Sequence, residues 1–233
     1  MDLLQRNHQL LLKGINCTFL RYLHARIGWE DRLIGIFGSR GVGKTTLLLQ
    51  HIKLKFEDSR EALYVNLDDF WFETHSLTDA VKEFLQAGGH YLFLDEIHFY
   101  SGWMEEVSTL LDANPALKIV FATTSLYSQT EVRNGLRHEA AFYVMHPMSF
   151  REFLSYESIL DKDPIPLEDI LANHHDLVKE INAEMNIVPI YRNYLEHGCY
   201  PFYWQDPDMY YFRLQELVRK EICGICLRWF LFR

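Results

Sequence analysis

Five short apolar runs recur along the chain before residue 146, and polar or amphipathic segments separate them. The runs are "RLIGIF" (32–37), "ALYVNL" (62–67), "HYLFLD" (90–95), "LKIVFAT" (117–123) and "AAFYVM" (140–145). Short and nearly continuous apolar strands that alternate with helices are typical of a parallel sheet covered on both faces. The pattern therefore predicts an α/β fold with a five-stranded parallel sheet and helices on both faces.

The segments between these runs predict the helices. One helix is expected to follow the first run through about Lys55, an amphipathic stretch covers about 76–86, and "WMEEVSTLLD" (103–112) forms a third helix. Their apolar residues recur at the spacing of one helix face. Residues 1–30 are expected to form a helical lead-in.

The alternation of strands and helices ends near Pro147. Ser149 is followed three residues later by Glu152, which is the pattern of a capping box at a helix start. From there the pattern is helical, with breaks at 161–166 and 197–201. We therefore predict a core domain over 1–147 and a small α-helical domain over 148–233.

A glycine-rich segment, here named the phosphate loop (residues 38–45, "GSRGVGKT"), joins the first strand to the first helix of the core. It fits G-x-x-x-x-G-K-[ST] at every fixed position. In such loops the backbone N–H groups surround phosphate oxygens, the lysine reaches the β- and γ-phosphates, and the hydroxyl binds Mg²⁺. The helix N-terminus adds a favourable dipole. The predicted binding residues are Gly38, Ser39, Arg40, Gly41, Val42, Gly43, Lys44, Thr45 and Thr46.

Two adjacent acids end the third apolar run. Asp95 and Glu96 lie at the carboxyl end of a predicted parallel strand, which is where such sheets bind ligands. We expect Asp95 to hold Mg²⁺ together with Thr45, and Glu96 to activate a water as general base. An acid poised on water does not suit a kinase, and the sequence lacks the N-K-x-D motif that reads guanine. Hydrolysis of ATP, with Lys44 and Glu96 as catalytic residues, is therefore favoured.

Charge and composition narrow the setting of this chemistry. The chain has 23 Lys and Arg against 32 Asp and Glu, a net charge of −9, which argues against generic binding to nucleic acid or anionic lipid. The sequence has no secretory signal and no apolar stretch near the roughly 20 residues that span a bilayer. Its four cysteines are too scattered for a disulfide framework. We expect a cytoplasmic protein without membrane contact.

These motifs, taken in order, give the chain a family resemblance. It resembles the AAA-type P-loop ATPases of bacteria and archaea, and more closely the subgroup often fused to a C-terminal nuclease-like domain. The matching stretches are "GSRGVGKTTLL", "YVNLDD", "FLDEIHFYSGWMEEVSTLLD", "IVFATTS", "NGLR", "HPMSFREFL" and "YLEHGCYP". The resemblance implies an ATPase core under a helical lid, in which ATP hydrolysis drives a conformational switch. It also implies a possible homo-oligomer and an unknown protein partner, with nucleic acid suggested by analogy alone.

The resemblance implies two further roles. A polar sensor of the γ-phosphate follows the fourth strand, where this chain departs from the usual T-G-S-S; Thr124 or Ser125 is the expected residue. Arg137 is the expected arginine finger, a catalytic residue supplied to a neighbouring subunit, although its glycine stands one residue earlier than in the family pattern. Arg133 is the competing candidate, and a surface ion pair is the plain alternative for Arg137.

A second function class stays open beside hydrolysis. The altered sensor is compatible with an interaction module in which bound nucleotide sets the affinity for a partner without being hydrolysed. Many relatives continue beyond the helical domain, whereas this sequence stops at Arg233 with the apolar "EICGICLRWFLFR". We expect a shortened or truncated member, or a tail that packs on the body or on another chain.

Overall fold

The fold is described from a computed structural model that covers residues 2–56, 60–124, 129–160 and 162–231. The strands are β1 (Leu33–Phe37), β2 (Ala62–Asn66), β3 (Tyr91–Asp95), β4 (Lys118–Thr123) and β5 (Ala141–Val144). The α-helices are α1 (Asp2–Gly14), α2 (Lys44–Lys55), α3 (Leu77–Gln86), α4 (Trp103–Ala113), α5 (Gln129–Gly135), α6 (Phe150–Tyr156), α7 (Leu167–Glu184), α8 (Ile187–Asn193) and α9 (Tyr210–Leu231).

The five strands form one parallel sheet in the order β2-β3-β4-β1-β5. Each strand lies within two residues of its predicted run, and α2, α3 and α4 follow the predicted bounds, so the predicted α/β fold is confirmed. Because all strands are parallel, their carboxyl ends meet at one edge of the sheet. That edge carries both the phosphate loop after β1 and the acidic pair at the end of β3.

The core lies between this sheet and the amphipathic helices α3 and α4. Val81 and Phe84 of α3, and Trp103 and Val107 of α4, are buried against the strands. The Trp103 ring lies 5.1 Å from that of Phe121 in β4. Burying an aromatic side chain of this kind contributes about 2–3 kcal/mol. Packing of α3 and α4 against the sheet therefore holds the strands in place.

The predicted helical lead-in over residues 1–30 is only partly helical. Helix α1 ends at Gly14, and a short 3₁₀ turn follows over Tyr22–Ala25. Between them, backbone carbonyls accept hydrogen bonds from side chains of α2. Gln50 donates to the carbonyls of Asn16 and Phe19, and Lys53 donates to that of Ile15. In a helix those carbonyls would accept from the chain's own N–H groups. The segment is instead shaped by its contacts with α2.

Contacts divide the chain into two units. The first contains the residues up to His146 and those from Tyr211 on, and the second contains 147–210. Within the second unit Ser149 and Glu152 form the predicted capping box at the start of α6. Several aromatic rings of this unit pack on one another, including Phe150, Phe153, Tyr194 and Trp204, and of these four only Phe153 is fully buried. The domain bounds of 1–147 and 148–233 stay a prediction.

The hydropathy of the helices bears on membrane contact. Across the described residues, none of the helices combines the length and the hydropathy that crossing a membrane requires. The side chains of the apolar tail, including Trp229 and Phe230, lie outside the described part of the chain.

Candidate functional site

The phosphate loop has the backbone that its glycines allow. Gly38 is buried at the end of β1, and its N–H donates to the carbonyl of Thr123 at 3.2 Å. Gly41 and Gly43 have φ values of 79° and 100°, in the left-handed region that residues with a Cβ avoid. Gly43 is the N-cap of α2, so the helix begins directly at the loop. A loop of this shape presents backbone N–H groups and a positive helix end to an anion.

Lys44 is held inside this loop. Its side chain is only 5% exposed, and its Nζ donates to the carbonyls of Gly38 at 2.8 Å and Ser39 at 3.1 Å. A buried ammonium must be satisfied by such partners. Thr45 and Thr46 follow in the exposed first turn of α2, whereas Val42 is buried. The charge of Lys44 is therefore fixed where the loop would surround phosphate oxygens.

Asp95 joins the acidic strand end to the phosphate loop. It is 1% exposed, and its Oδ2 accepts a hydrogen bond from the Thr45 hydroxyl at 2.5 Å. The same oxygen accepts from the Tyr64 hydroxyl at 2.9 Å, and Oδ1 accepts from the backbone N–H of Glu96. The structure thus brings together the two predicted metal ligands.

The donor set of Thr45 and Asp95 fits Mg²⁺. Both side chains offer oxygen, which this hard cation prefers, and Mg²⁺ commonly takes one or two protein ligands plus phosphate oxygens and water. Among the residues that the structure describes, no group of three or more His, Cys, Asp or Glu side chains could hold a metal. An ion at Thr45 and Asp95 would therefore depend on the oxygens of a bound nucleotide.

Glu96 has an unusual backbone for a residue with a side chain. Its φ and ψ are 51° and 38°, and its carbonyl accepts from the N–H of Phe99 in the following 3₁₀ turn. Left-handed non-glycine residues are strained and cluster at functional sites. Burial raises the pKa of Glu96, the charge of Asp95 raises it further, and Lys44 and Arg40 act in the opposite direction. Its Oε2 is buried and accepts no hydrogen bond from the described part of the chain.

His98 lies between this carboxylate and the phosphate loop. Its Nδ1 is 3.4 Å from Glu96 Oε2, and its Nε2 is 3.4 Å from the Arg40 guanidinium. Burial, followed by the charges of Arg40 and Lys44, lowers the pKa of His98 to about 4. The ring is therefore neutral at pH 7, and it packs in a gap between the two charged groups.

The end of β4 supplies unpaired hydroxyls beside the loop. Thr123 and Thr124 are fully buried, and neither Oγ1 has a hydrogen-bond partner among the residues that the structure describes. Register places Thr123 opposite Phe37, the last residue of β1 before the loop. Buried polar atoms normally have partners, so these two hydroxyls are suited to bind a ligand or a water. The sensor role of Thr124 stays a prediction, and Ser125 lies outside the described residues.

Arg137 lies on the surface beside α4, away from the loop in its contacts. Its guanidinium donates to the Thr109 hydroxyl and pairs with Asp112 at 3.1 Å, with more than half of the side chain exposed. The guanidinium of Arg133, the competitor, lies 4.9 Å from the centre of the Phe142 ring. The surface ion pair is thus present, and the finger role stays a prediction about an assembly.

Arg21 contacts the loop and was not singled out in the sequence. It is buried, and its guanidinium donates to the carbonyls of Val42 at 2.5 Å and His146 at 2.7 Å. One arginine therefore fastens the loop to the segment after β5. Tyr64 and His98 were likewise missed. The one signal for Tyr64 was a phenol in an otherwise aliphatic strand end, and for His98 its position two residues after the acids.

Comparison with known structures gives distant likenesses. A structure of C. elegans PCH-2 is 15% identical, with a TM-score of 0.37, over 72% of this chain and 49% of that one. AMPPCP-bound DnaA from Aquifex aeolicus is 20% identical, with a TM-score of 0.38, over 59% of this chain and 48% of that one. The chain thus spans about half the length of these proteins. Domain III of Thermotoga maritima DnaA is 18% identical, with a TM-score of 0.38, over 62% and 68%. Such low scores carry no functional argument.

Comparison with families is more direct. A search of the curated proteins finds no match. A family model described as an AAA domain matches residues 30–154, which is more than half of the chain. The matched stretch contains β1 to β5, the phosphate loop and the acidic pair. The chain therefore belongs to this family of AAA domains, whose members are P-loop ATPase-type proteins.

Proposed function

We propose that the chain binds ATP with Mg²⁺ and hydrolyses it. The observation that carries the proposal is the hydrogen bond from Thr45 to Asp95, because it joins the phosphate loop to the acidic strand end in one buried arrangement. Lys44 and Glu96 flank this pair in sequence and lie at the same edge of the sheet. Phosphate binding, metal binding and a base for water are therefore supported at one place.

Each residue has a distinct task in this proposal. The N–H groups of the loop and the ammonium of Lys44 bind the β- and γ-phosphates and offset their charge. Thr45 and Asp95 hold Mg²⁺, which supplies further neutralisation of the phosphates when bound. Glu96 accepts a proton from a water, whose oxygen bonds to the γ-phosphorus while the bond to the ADP oxygen breaks. The raised pKa of Glu96 makes it a better base than an ordinary carboxylate.

The conformational output is part of the same proposal. Loss of the γ-phosphate removes the partner of Lys44 and of the unpaired hydroxyls at the end of β4, so the loop and its neighbours would readjust. We propose that the helical second unit changes conformation in response. Arg137 would act as a finger only in a homo-oligomer, which exchanges its Asp112 pairing for a phosphate of the next subunit.

Two variants test the proposal with matched controls. Lys44→Ala should weaken ATP binding at least about tenfold, and Glu96→Gln should keep binding while turnover falls about 100-fold or more. Lys179→Ala and Glu168→Gln in α7 carry the same side-chain changes on an exposed helix and should leave both quantities unchanged. Titration calorimetry with ATP and phosphate release with Mg·ATP give the two readouts. Full turnover by Glu96→Gln would remove the assigned base.

A second candidate is an interaction module that binds ATP without hydrolysing it. The observation that favours it is the pairing of Arg137 with Asp112 and Thr109. These contacts bind the guanidinium to α4 of the same chain and not to a neighbouring subunit. Mass in solution with and without Mg·ATP, measured beside phosphate release, separates the two. Nucleotide-dependent assembly with turnover supports hydrolysis with a finger, and binding without any phosphate release supports the module.

A further inference from the structure

Tyr64 is a buried phenol aimed at the metal-binding end of the neighbouring strand. It stands in β2, between the apolar residues Leu63 and Val65, and it is opposite Phe93 of β3. Its ring is buried, and its hydroxyl donates to Asp95 Oδ2 at 2.9 Å. Tyr64 also lies two residues before Asn66, the residue that pairs with Asp95 in the strand register. The phenol therefore reaches forward along the sheet to the carboxylate.

Three hydrogen bonds hold the carboxylate of Asp95 in one orientation. Oδ2 accepts from two hydroxyls, those of Thr45 and Tyr64, and Oδ1 accepts from the N–H of Glu96. Since a carboxylate oxygen has two lone-pair directions, both directions of Oδ2 are used, and Oδ1 keeps one for an ion or its water shell. Without Tyr64 the carboxyl group would have one donor fewer and could turn about its last bond. Outer hydrogen bonds of this kind orient metal-binding carboxylates and tune the affinity for the ion.

We propose that Tyr64 is a positioning residue, whose hydroxyl holds Asp95 Oδ2 against the Thr45 hydroxyl so that the metal-binding pair is formed before the nucleotide arrives. The inference rests on the proposed function, because it assigns Tyr64 a role in the Mg²⁺ dependence of ATP binding. The proposal assigns metal binding and phosphate binding to different residues: the loop, with Lys44, binds phosphate, whereas Tyr64 contacts the metal-binding pair of Asp95 and Thr45.

The rival explanation is that Tyr64 merely fills the core and Asp95 satisfies its hydroxyl. The two explanations differ in what the loss of one oxygen changes. Tyr64→Phe keeps the ring and its packing but removes the hydrogen bond to Oδ2. A packing role predicts a change in stability without any change in metal dependence. A positioning role predicts a higher Mg²⁺ requirement while binding of nucleotide without metal stays the same.

The experiment titrates Mg²⁺ into the full chain with a bound fluorescent ATP analogue, and measures analogue affinity separately in EDTA. For Tyr64→Phe we expect the half-saturating Mg²⁺ concentration to rise about tenfold, and the affinity in EDTA to stay within about twofold of the wild type. Tyr143→Phe in β5 is the matched control, because its hydroxyl accepts from the N–H of Gly28, in the segment before β1. It should change neither quantity.

Each outcome decides something. Equal Mg²⁺ requirements in Tyr64→Phe and wild type overturn the inference, and so does an equal loss of affinity with and without the metal. If the wild type itself shows no Mg²⁺ dependence, the proposed function fails whatever Tyr64 does. Should Tyr64→Phe not fold, 4-aminophenylalanine and 4-methylphenylalanine at position 64 repeat the test with and without a donor; equal Mg²⁺ requirements would overturn the inference.

Discussion

Strand β4 and helix α7 show how differently the same apolar residues are used in this chain. In β4 every residue after Lys118 is buried, and Phe121 is fully enclosed. Helix α7 repeats apolar residues at helical spacing, yet it has no buried residue, and Leu171 is 73% exposed. The strand ends carry the proposed chemistry, because a packed core holds their side chains in place. An apolar pattern therefore predicts the type of element, whereas burial depends on what packs against it.

The two regions also differ in what satisfies their polar groups. At the carboxyl edge of the sheet, the hydroxyls of Tyr64 in β2 and Thr45 in α2, together with the backbone N–H of Glu96, donate hydrogen bonds to Asp95. On α7 the polar contacts are exposed ion pairs such as Lys162 with Glu180 and Glu184, which contribute little to stability. The first arrangement fixes geometry, and the second keeps a surface in solution.

The largest effect is expected in the core below the site. Phe121→Ala removes a fully buried ring that contacts Phe37, Trp103 and Phe142, and it should lower the free energy of unfolding by about 3–5 kcal/mol. Phe70→Ala is the matched control, since that ring is 82% exposed, and it should cost less than about 0.5 kcal/mol. Chemical denaturation followed by circular dichroism measures both. Equal losses would mean that β4 is not the packed centre.

The second effect is a loss of stability in mild acid. Burial lowers the pKa of His8 to about 4, and burial, with smaller effects from His24 and Lys55, lowers that of His51 to about 3. As the pH falls through about 6.5, these histidines therefore take up protons in the unfolded chain but not in the folded chain. The contribution of the neutral histidines to the free energy of unfolding is fully present above that pH, and it is lost as the pH falls towards their pKa values in the folded chain. By pH 5.5 each histidine should remove about 1 kcal/mol.

Denaturation at pH 7.5 and pH 5.5 measures this loss, and a variant assigns it. His51→Gln cannot take up the proton, so its loss between the two pH values should be about 1 kcal/mol smaller than that of the wild type. The His51 ring stacks on that of Trp29, with 3.7 Å between the ring centroids, and this packing helps to shield it from water. A wild type whose stability is the same at both pH values would contradict the burial of these rings.

The fold and the centre of the site could be predicted because both depend on local order in the sequence. Five continuous apolar runs gave the strands, and the spacing of Gly43, Lys44 and Thr45 gave the loop. Arg21 could not be predicted in the same way, because its partners Val42 and His146 are 21 and 125 residues away. No periodicity encodes such contacts. They exist only once the sheet has brought the segments together.

The same limit explains the lead-in and the finger. Residues 15–21, "INCTFLR", are mostly weak helix formers, and α2 binds three of their carbonyls, so local preference and tertiary contacts both act against a helix there. Arg137 was selected by its place in a motif, and its actual neighbours, Thr109 and Asp112, come from α4. A role that requires another subunit cannot be read from one chain's spacing.

A smaller effect is expected at the capping boxes that begin one helix in each unit. Ser76 begins α3 in the first unit and Ser149 begins α6 in the second, and each forms a complete capping box with an acid three residues later. Replacing either serine by alanine should cost about 1 kcal/mol in the free energy of unfolding. Ser101→Ala, in an exposed turn, is the control and should cost less than about 0.5 kcal/mol. A cost at Ser76 alone would mean that the cap at α6 is not formed.

The smallest effect tests the exposed face of α7. Leu171→Ala should change the free energy of unfolding by less than about 0.5 kcal/mol, since its side chain already contacts water in the folded chain. Leu111→Ala in α4 is the matched control, and the same change at that fully buried position should cost about 2–5 kcal/mol. Denaturation of both variants at two protein concentrations is the measurement. A cost above 1 kcal/mol at Leu171 that grows with concentration would show that another molecule covers α7, and the contrast with β4 would then hold only for the isolated chain.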